Sequence, residues 1–416
     1  MQTKFYKNNR KRLGELLADN SFCLLFAGVS LPKTADEDFG FQINTNFYYL
    51  SGITQAGSAL LFVKREGKTE CFLYVDPYDE MYEKWIGHRL TKKEASAMSG
   101  IAMTQIRYTD RLEEDVARLG KECKWGYFDL EQHDCPVYES LGQKAANKLP
   151  KSRRRDAWPL IVSLREAKTE EEVECLRRAI EVTHHGLSAI LSHIAPGMTE
   201  YQAEAYFDFT VKTEGNRPLS FPTIAAAGGN ATTLHYSKND TVIKDGDLVL
   251  FDLGCQDEGY RADITRTYPA NGKFTELQRT IYNIVLSANK KVAEVAKAGM
   301  TTLELQQVCI ATLTEGCLAA GLIEDAEEIK NYYYHGVSHS IGLDTHDPRD
   351  RKAPLPVGAV ISNEPGLYFA KYNIGIRIED DLLLTEDGCV NLSPQILKEA
   401  DEIEAFMREH NPSVKK

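Results

Sequence analysis

Two stretches far apart in the chain share one pattern of polar and apolar positions. In Val242-Ile243-Lys244-Asp245-Gly246-Asp247-Leu248-Val249-Leu250-Phe251-Asp252 a turn glycine is followed by an apolar run that ends on a carboxylate. Leu355-Pro356-Val357-Gly358-Ala359-Val360-Ile361-Ser362-Asn363-Glu364 does the same, and each acid stands equally far beyond its glycine. Helical spacing precedes both runs. Thr169-Glu170-Glu171-Glu172 is a capping box, with Val173, Leu176, Ile180, Leu187, Ile190 and Leu191 along one face of the helix it opens. That helix is expected to end near Pro196-Gly197, and Thr199-Glu200-Tyr201-Gln202 opens the next. Thr275-Glu276-Leu277-Gln278 repeats the signal before Ile281, Ile284, Val285, Ala288, Val292 and Val295, and Gly299-Met300-Thr301 echoes Gly197-Met198-Thr199. The shared order (helix, Gly-Met-Thr turn, helix, strands ending in acids) predicts a duplicated unit.

The first part of the chain reads differently. Residues 22–26, 58–63 and 71–75 are strand-like apolar runs, while 10–17 and 112–119 carry helical spacing, which predicts an α/β domain. Around Leu149 to Pro159 the composition turns basic and proline-flanked. The Arg153-Arg154-Arg155 run reads as a solvated linker, which divides the chain into residues 1–158 and 159–416. The overall class is α+β.

At 416 residues and 43% hydrophobic content the chain can bury two cores. The 49 basic and 61 acidic residues give a net charge of −12, which argues against nucleic acid as a partner. Nine scattered cysteines include no C-x-x-C pair, so they read as core thiols in a reducing compartment. The basic N-terminus lacks a following apolar segment, and no run reaches membrane-spanning length. A cytoplasmic enzyme with no membrane partner is the expectation.

The acids then acquire a chemical meaning. With Asp257-Glu258 as a two-residue hairpin tip, Asp252 faces Asp263 across the ladder; a bulge at Gly259 would shift that register by one. In a strand spanning Gly375 to Leu384, Arg377 and Glu379 share one face and Ile376 and Ile378 the other, so Glu379 can point where Glu364 points. Any one of these acids alone reads equally as a cap or an ion-pair partner. Four of the ten histidines, His235, His335, His339 and His346, fall beside these segments. His335-Gly336-Val337-Ser338-His339 has the i, i+4 spacing of a zinc helix but glycine where that motif needs Glu, so that reading fails; one ligand from the pair is expected, since four carboxylates already provide most of the ligation. Four carboxylates and one neutral imidazole are balanced by two divalent cations. Oxygen-rich donors favour Mn²⁺, with Co²⁺, Fe²⁺ and Zn²⁺ also compatible.

At these residues the chain resembles the pita-bread metallopeptidases, in the Xaa-Pro aminopeptidase and prolidase branch. The matching pattern is Asp252, Asp263-Ile264-Thr265-Arg266-Thr267, the segment His335 to Asp347, Asn363-Glu364-Pro365-Gly366-Leu367-Tyr368 and Ile374 to Asp380. Asn46 to Gly52 and Trp85-Ile86-Gly87-His88-Arg89 resemble the N-terminal auxiliary domain of the aminopeptidases. The resemblance implies a C-terminal pita-bread domain of two pseudo-symmetric halves behind an α/β auxiliary domain that shapes access to the site. It implies two metals on Asp252, Asp263, His339, Glu364 and Glu379, with Glu364 also the general base. It makes His346 the group that stabilises the tetrahedral intermediate, and His235 and His335 residues of the substrate pocket, while Arg377 orients Glu379 or an adjacent acid. The implied activity is release of an N-terminal residue that precedes proline, by a homodimer or homotetramer acting on peptides. The alternatives are a prolidase, specific for Xaa-Pro dipeptides, and a non-catalytic peptide-binding protein of the same fold.

Overall fold

Short runs of buried apolar residues build the first sheet of the computed structural model, which describes residues 1–130, 140–215 and 217–414. Six strands lie in the order Ile106–Tyr108, Lys68–Val75, Ala59–Arg65, Ser21–Phe26, Trp125–Phe128, Arg154–Asp156. The three central pairings that join Lys68–Val75, Ala59–Arg65 and Ser21–Phe26 to their neighbours include both antiparallel and parallel ladders. Phe22, Leu24, Leu61 and Phe128 gather on one face under Val116 and Leu119 of the helix Leu112–Glu122. Lys64, on the opposite face, donates to the Gly14 and Leu17 carbonyls at 2.8 and 2.6 Å, which places the helix Thr3–Leu16 there. The helix Thr45–Ser51 is capped by Asn44 and stopped by Gly52, whose φ of +68° and contact with the Tyr6 ring leave no room for a Cβ.

The arginine run is no linker. Arg154–Asp156 joins the sheet as a parallel edge strand, Arg153 donates to the Gly120 carbonyl at 2.8 Å, and the Arg155 guanidinium covers the Trp125 ring at 3.7 Å. Long charged side chains supplied apolar stems to an edge strand, a use that composition alone does not reveal. The chain separates into two compact units, Met1–Arg165 and Glu166–Lys416. The boundary expected after residue 158 falls at the start of the helix Trp158–Arg165, which stays with the first unit because Arg165 donates to Thr45 and Asn46 at 3.0 and 2.6 Å.

The second unit has the two halves that the repeat predicts. Helices Glu170–His193 and Glu200–Thr213 form one pair, and Glu276–Val295 and Thr302–Ala319 the other; each of the four opens on a capping box. Each pair closes over a glycine. Gly186 lies against the Phe207 ring, and a Cβ on Gly316 would stand 2.8 Å from Ile284. A sheet follows each pair. Leu248–Leu253 runs antiparallel between Ile264–Pro269 and Ile224–Ala227, and Asp380–Leu384 runs antiparallel between Val360–Asn363 and Cys389–Asn391. This is the α+β pita-bread arrangement of two pseudo-symmetric halves.

Two details differ from the sequence reading. The hairpin turns at Glu258-Gly259, with Gln256 opposite Arg261 and Asp257 opposite Tyr260. Both turn residues have positive φ, +50° and +84°, as a tight primed turn requires. Asp252 therefore faces Thr265, not Asp263. The single strand expected from Gly375 to Leu384 is broken at Ile378-Glu379. Ile374–Arg377 pairs with Gly366–Phe369, and Asp380–Leu384 turns away to pair with Val360–Asn363.

Candidate metal centre

Strand ends bring the acids together. Asp252 is the penultimate residue of Leu248–Leu253, and Asp263 immediately precedes Ile264–Pro269. Glu364 follows Val360–Asn363, and Glu379 sits in the break before Asp380–Leu384. The halves are stitched at this point by Glu379 N–H donating to Thr265 O at 2.9 Å. His339 enters from a segment that runs beside Val360–Asn363, where Ser362 N–H donates to His339 O at 2.9 Å and Glu364 N–H to Val337 O at 2.9 Å. A cavity of about 720 Å³ opens here, and its walls include all nine residues singled out from the sequence: Asp252, Asp263, His339, Glu364, Glu379, His235, His335, His346 and Arg377.

His339 Nε2 lies 3.4 Å from both Asp263 Oδ2 and Glu364 Oε1. Its Nδ1 is 3.1 Å from the Ser340 carbonyl, which assigns the proton to Nδ1 and turns Nε2 toward the acids. Ligand atoms of Asp263, His339 and Glu379 all lie within 4.8 Å of one another. The Asp252 Oδ1 atom is buried and has no hydrogen-bond partner. These are the marks of a donor set shaped for cations: convergent oxygens, one imidazole nitrogen and an orphaned carboxylate oxygen.

The electrostatics agree. Burial pushes Asp263 up to about 6, and the neighbouring Asp252 charge adds to it against the opposing bond from His339. Burial likewise pushes Glu364 up to about 7, with His339 and Arg377 opposing and Asp263 and Asp252 reinforcing. Glu379 rises well above the usual carboxylate range for the same reasons, burial first and then Asp263 and Glu364. Burial disfavours charge on His339, yet the bond to Asp263 and the Glu364 carboxylate hold it up at about 9. Without cations Glu379 and His339 keep their protons at neutral pH and Glu364 keeps part of its own, which is how closely spaced buried acids lessen mutual repulsion. Burial has the opposite result at His335 and His346, both brought down to about 4.

Arg377 does not reach Glu379 directly. It sits 2.5 Å from Asp252 Oδ2 and donates from Nε to Thr265 Oγ1 at 3.1 Å and from Nη1 to the Tyr368 hydroxyl at 3.0 Å. Thr265 in turn donates to Glu379 Oε2 at 2.7 Å, and His335 Nε2 lies 2.8 Å from the Tyr368 hydroxyl. Thr265, Tyr368 and Ser362, whose hydroxyl donates to Glu364 Oε1 at 3.2 Å, were not singled out from the sequence. A signal existed for Thr265 alone, two residues from Asp263 and so on its side of a strand. Asp381 is a fifth buried acid beside the site and accepts Asp263 N–H at 3.4 Å. Its neighbour Asp380 is occupied elsewhere, in a fully buried pair with Arg266 at 2.7 Å. In a separate group, Glu181, His184 and His185, ion pairs engage His185, which stands 3.3 Å from Glu181 and 2.8 Å from Glu214, while the half-buried His184 has no hydrogen-bond partner at Nδ1.

The profile of metallopeptidase family M24 matches residues 174–386, a span that holds most of the duplicated unit and every acid of the cavity. The chain belongs to metallopeptidase family M24. The aminopeptidase P N-terminal domain matches residues 6–126 in the first unit. Among M24 relatives, the Xaa-Pro aminopeptidase of Escherichia coli strain K12 is 32% identical over 440 residues, which span 97% of each chain. A solved structure from Bacillus anthracis, assigned by name to aminopeptidase P, has a TM-score of 0.96 and 43% identity, covering 100% of both chains. Aminopeptidase P from E. coli with the inhibitor Pro-Leu has a TM-score of 0.91 and 30% identity, again over 100% of both. Membership of M24 makes the chain a metallo-aminopeptidase that binds divalent metal. Among the described residues no helix is long and apolar enough to cross a membrane.

Proposed function

We propose that this M24 enzyme removes the N-terminal residue from peptides with proline in the second position, and that Asp252, Asp263, His339, Glu364 and Glu379 hold two divalent cations for the reaction. The observation that carries this reading is the convergence of those five donors, with three further histidines, on one cavity in a chain similar along its whole length to Xaa-Pro aminopeptidases. The oxygen-rich donors favour Mn²⁺. When bound, such cations lower the pKa of the attacking water and polarise the scissile carbonyl.

The chain's own groups move the protons. Glu364 accepts a proton from the attacking water and delivers it to the proline nitrogen as the C–N bond breaks. The Ser362 hydroxyl fixes its Oε1 by donating to it at 3.2 Å. His346 stabilises the oxygen of the tetrahedral intermediate, and His235 and His335 bound the substrate pocket. Phe221, Pro222, Ile224, Leu234 and Tyr236 give that pocket an apolar wall, which suits a pyrrolidine ring. A bond to proline nitrogen is a tertiary amide with no N–H and a fixed φ, so a pocket recognising the ring in place of the amide proton is needed.

The test is chelation followed by reconstitution with single metals, assayed on matched Xaa-Pro-Yaa tripeptides and Xaa-Pro dipeptides. Activity lost on chelation, restored by Mn²⁺ at two equivalents and directed at the tripeptide is expected. Hydrolysis of dipeptides alone makes the enzyme a prolidase, and full metal binding without turnover makes it a binding protein. A homodimer or homotetramer in the cytoplasm completes the reading; the free, mostly buried thiols support a reducing compartment, and light scattering measures the assembly.

A further inference from the structure

The loop that presents His346 is wrapped around one buried carboxylate. Asp347 Oδ1 accepts Asp344 N–H at 3.1 Å, and Asp347 N–H donates to the Ser340 carbonyl at 2.8 Å. Gly342 comes so close that a Cβ there would stand 2.6 Å from Asp347 Cγ. The other oxygen, Oδ2, lies 2.9 Å from Lys168 Nζ, and both side chains are only 1% exposed. Lys168 arrives from a distant part of the chain, the segment leading into the helix Glu170–His193, where its N–H donates to the Gly358 carbonyl at 2.8 Å.

A buried ion pair of this kind is seldom a gain in stability over apolar residues of similar size, because two charges must leave water. What it supplies here is a fixed point. Arg261 holds the start of the loop, donating to the Gly342 carbonyl from its backbone and to the Leu343 carbonyl from Nε, each at 2.9 Å. The end of the loop, immediately after His346, is tied to the remainder of the unit through Asp347 and Lys168. The His339 backbone is held separately, by Ser362 through its N–H at 2.9 Å and its carbonyl at 2.9 Å, while its ring shares the Ser340 carbonyl with Asp347 N–H, Nδ1 lying 3.1 Å from it. The His346 ring packs against the His339 ring with centroids 4.2 Å apart, so a small swing of the loop end alters where His346 points.

We propose that Lys168 is a positioning residue for His346, acting through the Asp347 carboxylate, and that it sets the turnover rate without contributing to metal binding. This rests on the role given to His346 above. The experiment compares Lys168→Met, Lys168→Arg, His346→Ala and the Lys168→Met/His346→Ala double variant as metal-loaded enzymes on an Xaa-Pro-Yaa peptide, with bound metal measured by mass spectrometry. Expected for Lys168→Met is a fall in kcat of about tenfold or more, with KM changed by less than about twofold and metal content intact. Lys168→Arg, which keeps the charge, restores most of kcat. In the His346→Ala background Lys168→Met lowers kcat no further, because two changes acting through one group are not additive.

Parental kcat in Lys168→Met overturns the proposal, as does loss of metal or an undiminished further fall in the His346→Ala background. Should Lys168→Met fail to fold, Lys168→Met/Asp347→Asn leaves no unpaired buried charge; it is expected to fold with depressed kcat, and parental kcat in it overturns the proposal equally. His346→Ala with unchanged kcat overturns the role given to His346, a failure distinct from full loss in His346→Ala beside an unaffected Lys168→Met.

Discussion

Arg377 and Asp252 form a nearly solvent-free ion pair, with Nη2 2.5 Å from Oδ2 and side chains 5% and 13% exposed. Two further guanidinium nitrogens are used on Thr265 and Tyr368, so the fork geometry as well as the charge is in use. A lysine supplies one point charge and cannot span three partners. Arg377→Lys is therefore expected to lower kcat/KM by about 10–100-fold and to loosen metal retention, the usual range for groups that orient ligands. Steady-state kinetics against added Mn²⁺ checks both; an unchanged kcat/KM at limiting metal defeats the prediction.

Thr265 is the link between that ion pair and the second half of the site, accepting from Arg377 and donating to Glu379 while fully buried. Valine has the same shape and neither function. Thr265→Val should lower the stability of the chelated protein by about 1–3 kcal/mol, since two buried polar groups lose their partner. A shift of the urea midpoint at constant slope is the observable, and no shift would mean the two groups find other partners.

How far the sequence carried depended on whether the information was local. The four capping boxes at Thr169, Thr199, Thr275 and Thr301 each involve residues three apart, and helices begin at all four. The turn glycines and the apolar runs ending at Asp252 and Glu364 were legible for the same reason, and the nine named residues do share one cavity. Hairpin register was not, because the choice between an Asp257-Glu258 and a Glu258-Gly259 tip is made by which residues can hold positive φ together. Partnerships across the two halves, such as Arg377 with Asp252 and Thr265 with Glu379, join residues over a hundred positions apart. Arg153 to Arg155 failed in another way: their charge suggested solvent, whereas their place in the fold depends on carbonyl acceptors and a tryptophan face elsewhere in the chain.

The corrected register explains why Gly254 is a glycine. It lies beside the stretch that delivers Asp263, where an added Cβ would collide with the Ala262 carbonyl and stand 3.1 Å from Ser220 Oγ. Ser220 lines the cavity and Ala262 is the residue before Asp263, so relief through the Ala262 backbone displaces Asp263. Gly254→Ala is expected to cost about 1–3 kcal/mol of stability, as overpacking does, and to reduce activity with it. Restored activity at high Mn²⁺ would identify a displaced ligand; unaltered stability and activity would contradict the close approach.

Removing the metal should expose the protons that cations replace. His339, raised to about 9 in the fold from an ordinary value of 6.5, stabilises the metal-free protein fully below 6.5 and loses that contribution as pH rises through 9. Glu364, raised to about 7 from 4.5, keeps a proton in the fold that the unfolded chain has already released, so it too withdraws stability as pH rises toward 7. His335 and His346, lowered to about 4, act in the opposite sense, but their contribution changes only between about 4 and 6.5. Above 6.5 the remaining slope has one sign. The melting temperature of the chelated enzyme is expected to fall from pH 6.5 to 9, while stabilisation by added Mn²⁺ grows over the same interval because metal and protons compete for the same atoms. Thermal unfolding followed at several pH values with chelator and with Mn²⁺ measures both; a chelated protein whose melting temperature holds or rises through this window would refute the assignment of a retained proton to the His339, Asp263 and Glu364 cluster.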